Sequence, residues 1–244
     1  MASVRCSGRL VRASPVLWRI DAAVAAVTMS LLACAYGSRG AARYLVGFGG
    51  ATCAQQLALG ALCRRTGQQS ANVADGLAYG RATCGAVLAG LLAAGIRDPT
   101  GAAGKLGCAV SLAGATALDW LDGPLARRAG STDLGAVLDI EADSWLTLWC
   151  SASAIAWGGL PRWCLVPPLL RYLDPLLALR AGQLPAGGGP WWARVTGVAQ
   201  MALFLTALAP LPGRRPLPTV IAGVVSVAQT ASLLCQLARG RHGR

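Results

Sequence analysis

The chain has 244 residues, of which 55% are hydrophobic and only 13% are charged, and its mean hydropathy is +0.51. Soluble domains carry roughly 25% charged residues on average, so this chain has about half the usual supply. A soluble globule of this length could not cover its surface with so few charges. The composition therefore excludes an ordinary cytosolic enzyme and a disordered chain, and it indicates a polytopic membrane protein.

The net charge of +12 has a membrane explanation rather than a nucleic-acid one. A nucleic-acid binder gathers its cations on one face or in one arm. Here the cations occur singly or in pairs between apolar stretches, as they do in the loops of membrane proteins, so we expect no nucleic-acid partner. Every basic residue except Lys105 is Arg, and this preference, with the richness in Ala and Gly, suggests a bacterium with GC-rich codons.

Apolar stretches long enough to cross a bilayer, about 20 residues each, recur along the whole chain. The eight candidate spans are 17–36, 44–63, 77–96, 101–121, 134–157, 163–179, 195–211 and 217–237. Lys and Arg residues number 14 at the span ends that share a side with both termini, against 7 at the opposite ends. Because positive residues favour the cytoplasmic side, both termini are predicted to be cytoplasmic.

The polar connection at residues 64–74 marks the best domain boundary. It separates an N-terminal extension with two expected membrane helices, residues 1–70, from a six-span core, residues 71–244. The predicted fold class is therefore an all-α, polytopic membrane helical bundle. A signal peptide is the alternative for the N-terminus, because an Arg-rich start and an apolar run precede Ala33-Cys34-Ala35, and cleavage of residues 1–35 stays open.

Six of the ten acidic residues fall within 25 consecutive positions, at the end of one candidate span, in the next loop and at the start of the next span. They are Asp119, Asp122, Asp133, Asp139, Glu141 and Asp143. Even on a lenient scale, a carboxylate at the centre of the bilayer costs roughly 2.5–3.5 kcal/mol, and neighbouring carboxylates repel one another. Such a cluster requires compensating cations, and bound divalent metal is the simplest source.

The spacing arranges these carboxylates in two pairs that can meet at one site. Asp119 and Asp122 are three residues apart and Asp139 and Asp143 are four apart, so each pair shares a helix face. Gly135 lies one turn before the second pair, where the missing side chain permits close approach of a helix or a ligand. Oxygen ligands without His or Cys favour Mg²⁺ or Mn²⁺, held together with substrate phosphates.

Each of these residues also has a simpler interpretation. Asp122-Gly123-Pro124 could form a plain turn, Arg127 and Arg128 could anchor a helix end on the cytoplasmic side, and the acids could be solvated. It is the joint pattern that favours a functional site.

The segments 119–127 and 135–143 resemble the signature of the CDP-alcohol phosphotransferase family. That signature reads D-x2-D-G-x2-A-R, followed after seven or eight residues by G-x3-D-x3-D. All eight fixed positions match, and the gap here is seven residues. The motif covers 25 residues, and the six candidate spans between residues 77 and 237 match the family's six-helix core.

The resemblance implies an integral-membrane enzyme of phospholipid synthesis, a CDP-alcohol phosphatidyltransferase with a two-metal site for Mg²⁺ or Mn²⁺. It implies that Asp143 deprotonates the acceptor alcohol and that four carboxylates hold the ions: Asp119, Asp122, Asp139 and Asp143. The CDP moiety would lie along Gly123, Ala126, Arg127 and Gly135. The implied reaction transfers a phosphatidyl group from CDP-diacylglycerol to a small polar alcohol and releases CMP.

The implied partners are CDP-diacylglycerol, a small alcohol acceptor and the lipid bilayer, and a homodimer stays open. The implied location is the cell membrane, the inner membrane of a bacterium, with several crossings and the active site on the cytoplasmic side. The chain departs from the family at an N-x2-T-x2-R element, for which the nearest match is Asp75-x2-Ala78-x2-Arg81. This difference leaves that edge of the nucleotide pocket undefined.

Two other functions stay open on the sequence, a catalytically silent membrane scaffold of the same fold and a divalent-cation transporter. The acceptor alcohol is also open, as is the choice between Mg²⁺ and Mn²⁺.

Arg171 and Asp174 are charged residues within the candidate span 163–179. They could bind the acceptor alcohol, or they could form an ion pair that neutralises itself in the membrane. Glu141, roughly 200° from Asp139 around a helix, is expected to point away from the metals, and Asp133 to be a solvated loop acid.

Overall fold

The computed structural model of the chain describes residues 15–66, 73–95, 108, 111–118, 133–157, 160–172, 191–208 and 216–242. The described residues form helices and short turns and contain no strand, so the all-α expectation is confirmed for them. In chain order the helices are α1 (Pro15–Thr66), α2 (Val73–Ala93), α3 (111–118), α4 (Asp133–Ala156), α5 (Val166–Arg171), α6 (Trp191–Leu208) and α7 (Pro216–His242).

Helix α1 consists of two helices that meet at Gly37, whose φ of 73° is positive. Residues with a side chain rarely adopt this conformation, whereas glycine does so readily. Asp21, before the break, accepts a hydrogen bond from Gln56, after it, at 3.4 Å, so the two halves lie side by side. The two helices expected at 17–36 and 44–63 are therefore both present within α1.

Helix α2 lies between α1 and α4 and contacts both. Its last turn closes with backbone hydrogen bonds from Ala94 to Gly90 (2.9 Å) and from Gly95 to Leu92 (3.0 Å). Gly95 has a φ of 76°, which is a common way for glycine to end a helix. The contact with α1 also depends on glycine, because a Cβ at Gly90 would overlap the ring of Tyr44.

Helix α4 carries the second half of the acidic motif. It begins at Asp133, so the prediction that this residue lies in a loop is wrong. Acidic residues are favoured in the first turn of a helix, where the unpaired backbone N–H groups carry a partial positive charge. After α4, the 3₁₀ turn Arg162–Leu165 leads into α5, whose first turn contains Pro167 and Pro168, at positions where a missing N–H is tolerated.

The main hydrophobic core joins α1, α2, α4, α6 and α7, with Phe48, Leu88, Leu146 and Phe204 among its buried side chains. A second, smaller cluster joins α1, α2 and α4 beside the acidic residues of α4. It consists of Leu59, Ala78, Tyr79, Ala82, Leu138 and Ala142. Because this cluster is buried, α1, α2 and α4 are held together where the motif residues lie.

One helix among the described residues, at Gly76–Ala93, is long and apolar enough to cross a membrane by length and composition alone. Two shorter apolar helices lie at Val195–Leu208 and Thr219–Ser232. The predicted eight crossings, six of them in the core, therefore stay predictions.

Candidate active site

Two of the predicted metal-binding carboxylates lie one helical turn apart on α4 and meet at the same cation. Arg81 of α2 donates from Nη2 to Asp139 Oδ1. Its other terminal nitrogen, Nη1, donates to Asp143 Oδ1 at 2.9 Å. The four-residue spacing thus brings both carboxylates to one side of α4, facing α2.

The cation at this site is buried, whereas the two carboxylates are open to solvent. The Arg81 side chain is 2% exposed, against 53% for Asp139 and 36% for Asp143. A buried guanidinium is tolerated where charge-assisted hydrogen bonds replace its hydration. Its planar fork suits this position because separate N–H groups reach separate acceptors. Arg81 also offsets the repulsion between the two carboxylates.

Small residues bring α2 and α4 close together at this point. Ala82, next to Arg81 in the chain, is buried in the smaller hydrophobic cluster. One turn after Arg81, a Cβ at Gly85 would lie 3.0 Å from Cδ1 of Trp145 on α4, which is tighter than a normal contact. Small residues at helix contacts are typical of packing between membrane helices, and here they put α4 within reach of Arg81.

A second cation approaches Asp143 from α5. Arg171 Nη2 lies 4.0 Å from Asp143 Oδ2, and the Arg171 side chain is 27% exposed. Asp143 therefore faces Arg81 through one carboxylate oxygen and Arg171 through the other. Of the two residues predicted as a candidate acceptor site, the structure brings Arg171 to the motif, whereas Asp174 lies outside the described residues.

The first half of the motif also lies outside the described residues. It contains the predicted site residues Asp119, Asp122, Gly123, Ala126 and Arg127. Gly135 lies near the start of α4. Within the described ranges, no three His, Cys, Asp or Glu side chains gather into a group that could hold a metal ion. Only Asp139 and Asp143, of the four predicted ligands, are therefore described in the structure.

The two described carboxylates suit a divalent metal in their chemistry. Asp139 and Asp143 offer oxygen donors, which Mg²⁺ and Mn²⁺ prefer in proteins. They already converge on one cation, Arg81, and both side chains are accessible from solvent. This face of α4 thus has the donor type and the convergence that half of a two-metal site requires.

Arg81 is a site residue to which the sequence interpretation gave no role at the carboxylates. The charge count treats it as a residue of a helix end, but Arg81 is buried within α2, so that assignment is wrong. Without Arg81 the direction of the charge bias is unchanged. Two signals could identify it: it is the one charged residue of the stretch 77–96, where an unpaired cation is costly, and it occupies the Arg position of the N-x2-T-x2-R element.

The described part of the chain is thus an apolar bundle of helices in which two carboxylates of α4 meet a buried arginine of α2. The profile of the CDP-alcohol phosphatidyltransferase family matches residues 71–235. The chain belongs to this family, which confirms the resemblance seen in its motif. Neither a curated protein nor a solved structure matches the chain.

Membership of the family sets the general chemistry. Its proteins are membrane-embedded transferases of substituted phosphate groups. They transfer a phosphatidyl group from a CDP-alcohol to an acceptor and generally use divalent metals. Helix α1 lies outside the matched residues, whereas α2, α4 and the pairing of Arg81 with Asp139 and Asp143 lie inside them.

Proposed function

We propose that this protein is an integral-membrane enzyme that transfers a phosphatidyl group from CDP-diacylglycerol to a small polar alcohol and releases CMP. The observation that carries the proposal is the convergence of Asp139 and Asp143 on Arg81, within the residues that match the family. The intact motif at 119–127 supports it in the sequence.

In the proposed reaction, the hydroxyl oxygen of the acceptor attacks the phosphorus that carries the diacylglycerol. The bond from this phosphorus to the oxygen shared with the CMP unit breaks, and CMP leaves with the bonding electrons. A carboxylate oxygen of Asp143 takes the hydroxyl proton as general base. Asp143 suits this role because it is partly exposed while Arg81 holds one of its oxygens.

The metal site would be formed by Asp119, Asp122, Asp139 and Asp143. Two divalent ions, when bound there, would neutralise the pyrophosphate and stabilise charge on the attacking and leaving oxygens. Arg81 orients the second carboxylate pair from inside the protein. The nucleotide would contact Arg127, and the small residues Gly123, Ala126 and Gly135 would leave room for it.

The proposed architecture has an N-terminal extension at residues 1–70 and a six-span core at 71–244. The start of the family match at residue 71 supports this boundary. The charge bias supports a multi-pass protein of the cell membrane with its active site on the cytoplasmic side. The open alternatives of acceptor, metal and oligomeric state all concern the same core.

We expect purified protein in lipid nanodiscs to release CMP when CDP-diacylglycerol, Mg²⁺ or Mn²⁺ and a suitable alcohol are present together. The alcohols to test are glycerol phosphate, inositol phosphate, serine and a lipid alcohol. Chelation by EDTA should reduce CMP release to background, and excess metal should restore it, because divalent metal would neutralise the pyrophosphate from which CMP leaves.

A reaction without acceptor is the control that separates transfer from hydrolysis of CDP-diacylglycerol. Full activity after exhaustive chelation would contradict the metal-assisted mechanism. Absence of CMP with every alcohol and both metals would contradict the proposed reaction.

Replacing Arg171 with glutamine is expected to raise the KM for the acceptor alcohol by about 10-fold or more. The variant would lose a charge-assisted hydrogen bond from Arg171 to the acceptor, and such a bond contributes about 1.5–3 kcal/mol. The reason is that Arg171 lies beside the Asp143 oxygen that would receive the acceptor's proton. The KM for CDP-diacylglycerol should stay unchanged. Steady-state kinetics with each substrate varied in turn measure both values.

The matched control is Arg162→Gln, which removes an exposed guanidinium from the 3₁₀ turn that precedes α5. If Arg171→Gln raises the donor KM instead, Arg171 belongs to the nucleotide side of the site rather than to the acceptor side.

A further inference from the structure

Asp21 is a buried carboxylate in the first half of α1, with 4% of the residue exposed. It accepts hydrogen bonds from Gln56 Nε2 of the second half of α1 at 3.4 Å and from Thr83 Oγ1 of α2 at 3.0 Å. It also accepts one from Tyr79 Oη of α2, which in turn accepts one from Gln56. These four side chains, Asp21, Gln56, Tyr79 and Thr83, are called the Asp21 network below.

The Asp21 network joins α1, which lies outside the residues that match the family, to α2, which lies inside them. A buried carboxylate is costly unless hydrogen bonds replace its hydration, and here donors from the second half of α1 and from α2 do so. Loss of the contact would therefore leave a buried charge without its partners. The carboxylate thus favours one arrangement of the three helical segments.

Close backbone packing strengthens the same contact between α1 and α2. A Cβ at Gly47 of α1 would overlap Ala93 and the carbonyl oxygen of Ala89 on α2, and a Cβ at Gly90 of α2 would overlap the ring of Tyr44 on α1. Glycine on each helix thus allows an approach that side chains would prevent. Helices α1 and α2 therefore approach closely near the C-terminal end of α2 as well as at the Asp21 network.

The positions of residues around α2 relate the contact with α1 to the candidate active site. Tyr79 and Thr83 are four residues apart and share one face of α2. Arg81 lies between them in sequence, roughly 200° away from each at about 100° per residue. Helix α2 thus presents Tyr79 and Thr83 to Asp21 on α1, and it presents Arg81 to Asp139 and Asp143 on α4. Rotation of α2 about its axis would break the first contact and move Arg81 away from the carboxylates.

We propose that the Asp21 network is a positioning device, by which the N-terminal extension fixes the rotation of α2 and so holds Arg81 against Asp139 and Asp143. The proposal rests on the proposed function for its catalytic consequence. Its structural part, the orientation of a carboxylate pair, has a consequence for metal binding that needs no turnover. Asp21 is therefore a positioning residue that acts through Arg81.

The test compares full-length Asp21→Ala and Asp21→Asn with the wild type in nanodiscs. Partners that orient a metal ligand typically contribute 10–100-fold to affinity or activity, so Asp21→Ala should lower kcat by about 10-fold and weaken Mn²⁺ binding similarly. Mn²⁺ binding is measured by electron paramagnetic resonance of the free ion. The KM for CDP-diacylglycerol should change by less than about twofold, since Tyr79 and Thr83 lie on the face of α2 roughly opposite Arg81 and the proposed site. Asp21→Asn keeps one acceptor oxygen and should fall between.

A double-mutant cycle with Arg81→Lys tests whether Asp21 acts through Arg81. If it does, Asp21→Ala adds little to Arg81→Lys, whereas independent effects of about 10-fold each would multiply to about 100-fold. The matched control is Thr52→Val, which alters a buried residue of α1 whose hydroxyl has no hydrogen-bond partner among the described residues. It should leave kcat and Mn²⁺ binding unchanged.

The outcomes separate this proposal from the proposed function. Wild-type protein that binds Mn²⁺ but releases no CMP refutes the reaction, and the effect of Asp21→Ala on Mn²⁺ binding still decides the positioning role. Unchanged Mn²⁺ binding and kcat in Asp21→Ala overturn the positioning role. So do multiplicative effects in the cycle, or losses equal to those of Thr52→Val.

Discussion

Replacing Asp143 with asparagine is expected to lower kcat for CMP release by at least about 10³-fold, because general-base catalysis alone contributes about 10²–10⁴-fold. The amide accepts no proton from the acceptor hydroxyl and is a weaker metal ligand than a carboxylate. The structure adds a further reason. Asp143 faces Arg81 at 2.9 Å through one oxygen and Arg171 at 4.0 Å through the other, so the amide nitrogen of asparagine would point at a guanidinium in either orientation.

CMP release is measured at matched expression, with size-exclusion chromatography to show that the variant is folded. The controls are Glu141→Gln and Asp133→Asn, which change nearby acids outside the G-x3-D-x3-D spacing and should keep substantial activity. Glu141 lies on α4 roughly 200° from Asp139, so its carboxylate should not reach the ions. Wild-type turnover in Asp143→Asn, or a folded but inactive Glu141→Gln, would show that the helical phase is misassigned.

Local features of the site were accessible from sequence because they depend on spacing along one helix. Residues four apart share a helix face, so the convergence of Asp139 and Asp143 follows once α4 is known to be helical. The sequence also separated the candidate spans 17–36 and 44–63, and in the structure the break between these two helices lies at Gly37. The bounds of the helices were harder to predict. Both α1 and α4 begin before their predicted spans, because helices extend beyond their apolar segments.

Contacts between helices were not accessible, because hydropathy describes each helix alone. Arg81 and Asp143 are far apart in sequence and meet only when α2 packs on α4. The hydropathy pattern treats an Arg near the end of a span as an anchor at the membrane surface. Its burial depends on Ala82 and Gly85, which allow α4 to approach. Packing between a particular pair of helices cannot be predicted from the hydrophobic periodicity of a single sequence.

Asp21 shows the same limit for the N-terminal extension. In the sequence it weakens the candidate span at 17–36, because a charge there opposes insertion. In the structure the same carboxylate is buried and receives hydrogen bonds from Gln56, Tyr79 and Thr83. A polar residue that counts against a span in hydropathy is thus one of the residues that attach α1 to α2.

Replacing Arg81 is expected to lower activity in two steps, with kcat reduced by about 10-fold in Arg81→Lys and by about 100-fold in Arg81→Met. Lysine keeps the charge but is a point donor on a flexible stem, so it cannot hold both carboxylates in the geometry of a guanidinium fork. Methionine fills similar space without charge, and Asp139 and Asp143 then repel each other. The measurements are kcat and the Mn²⁺ concentration for half-maximal CMP release.

The stability of the same variants should follow a different order, because burial at this site is asymmetric. Arg81 is 2% exposed, whereas Asp139 is 53% exposed. Arg81→Met removes the buried charge and leaves carboxylates that water can hydrate, so the thermal unfolding temperature should change little. The double variant Asp139→Ala, Asp143→Ala instead leaves the buried guanidinium without these partners. The free energy of unfolding of this double variant should fall by up to about 3–5 kcal/mol, which is the cost of an uncompensated buried charge.

The matched control is Arg43→Met, which removes an exposed guanidinium from α1 and should change neither activity nor unfolding temperature. The combination of low activity with normal stability in Arg81→Met is what distinguishes an orienting cation from a purely structural one. If Arg81→Met unfolds as readily as the double carboxylate variant, the pairing holds α2 and α4 together rather than orienting Asp139 and Asp143. If Arg81→Met retains full kcat, the carboxylates are oriented without Arg81, and its place in the site is wrong.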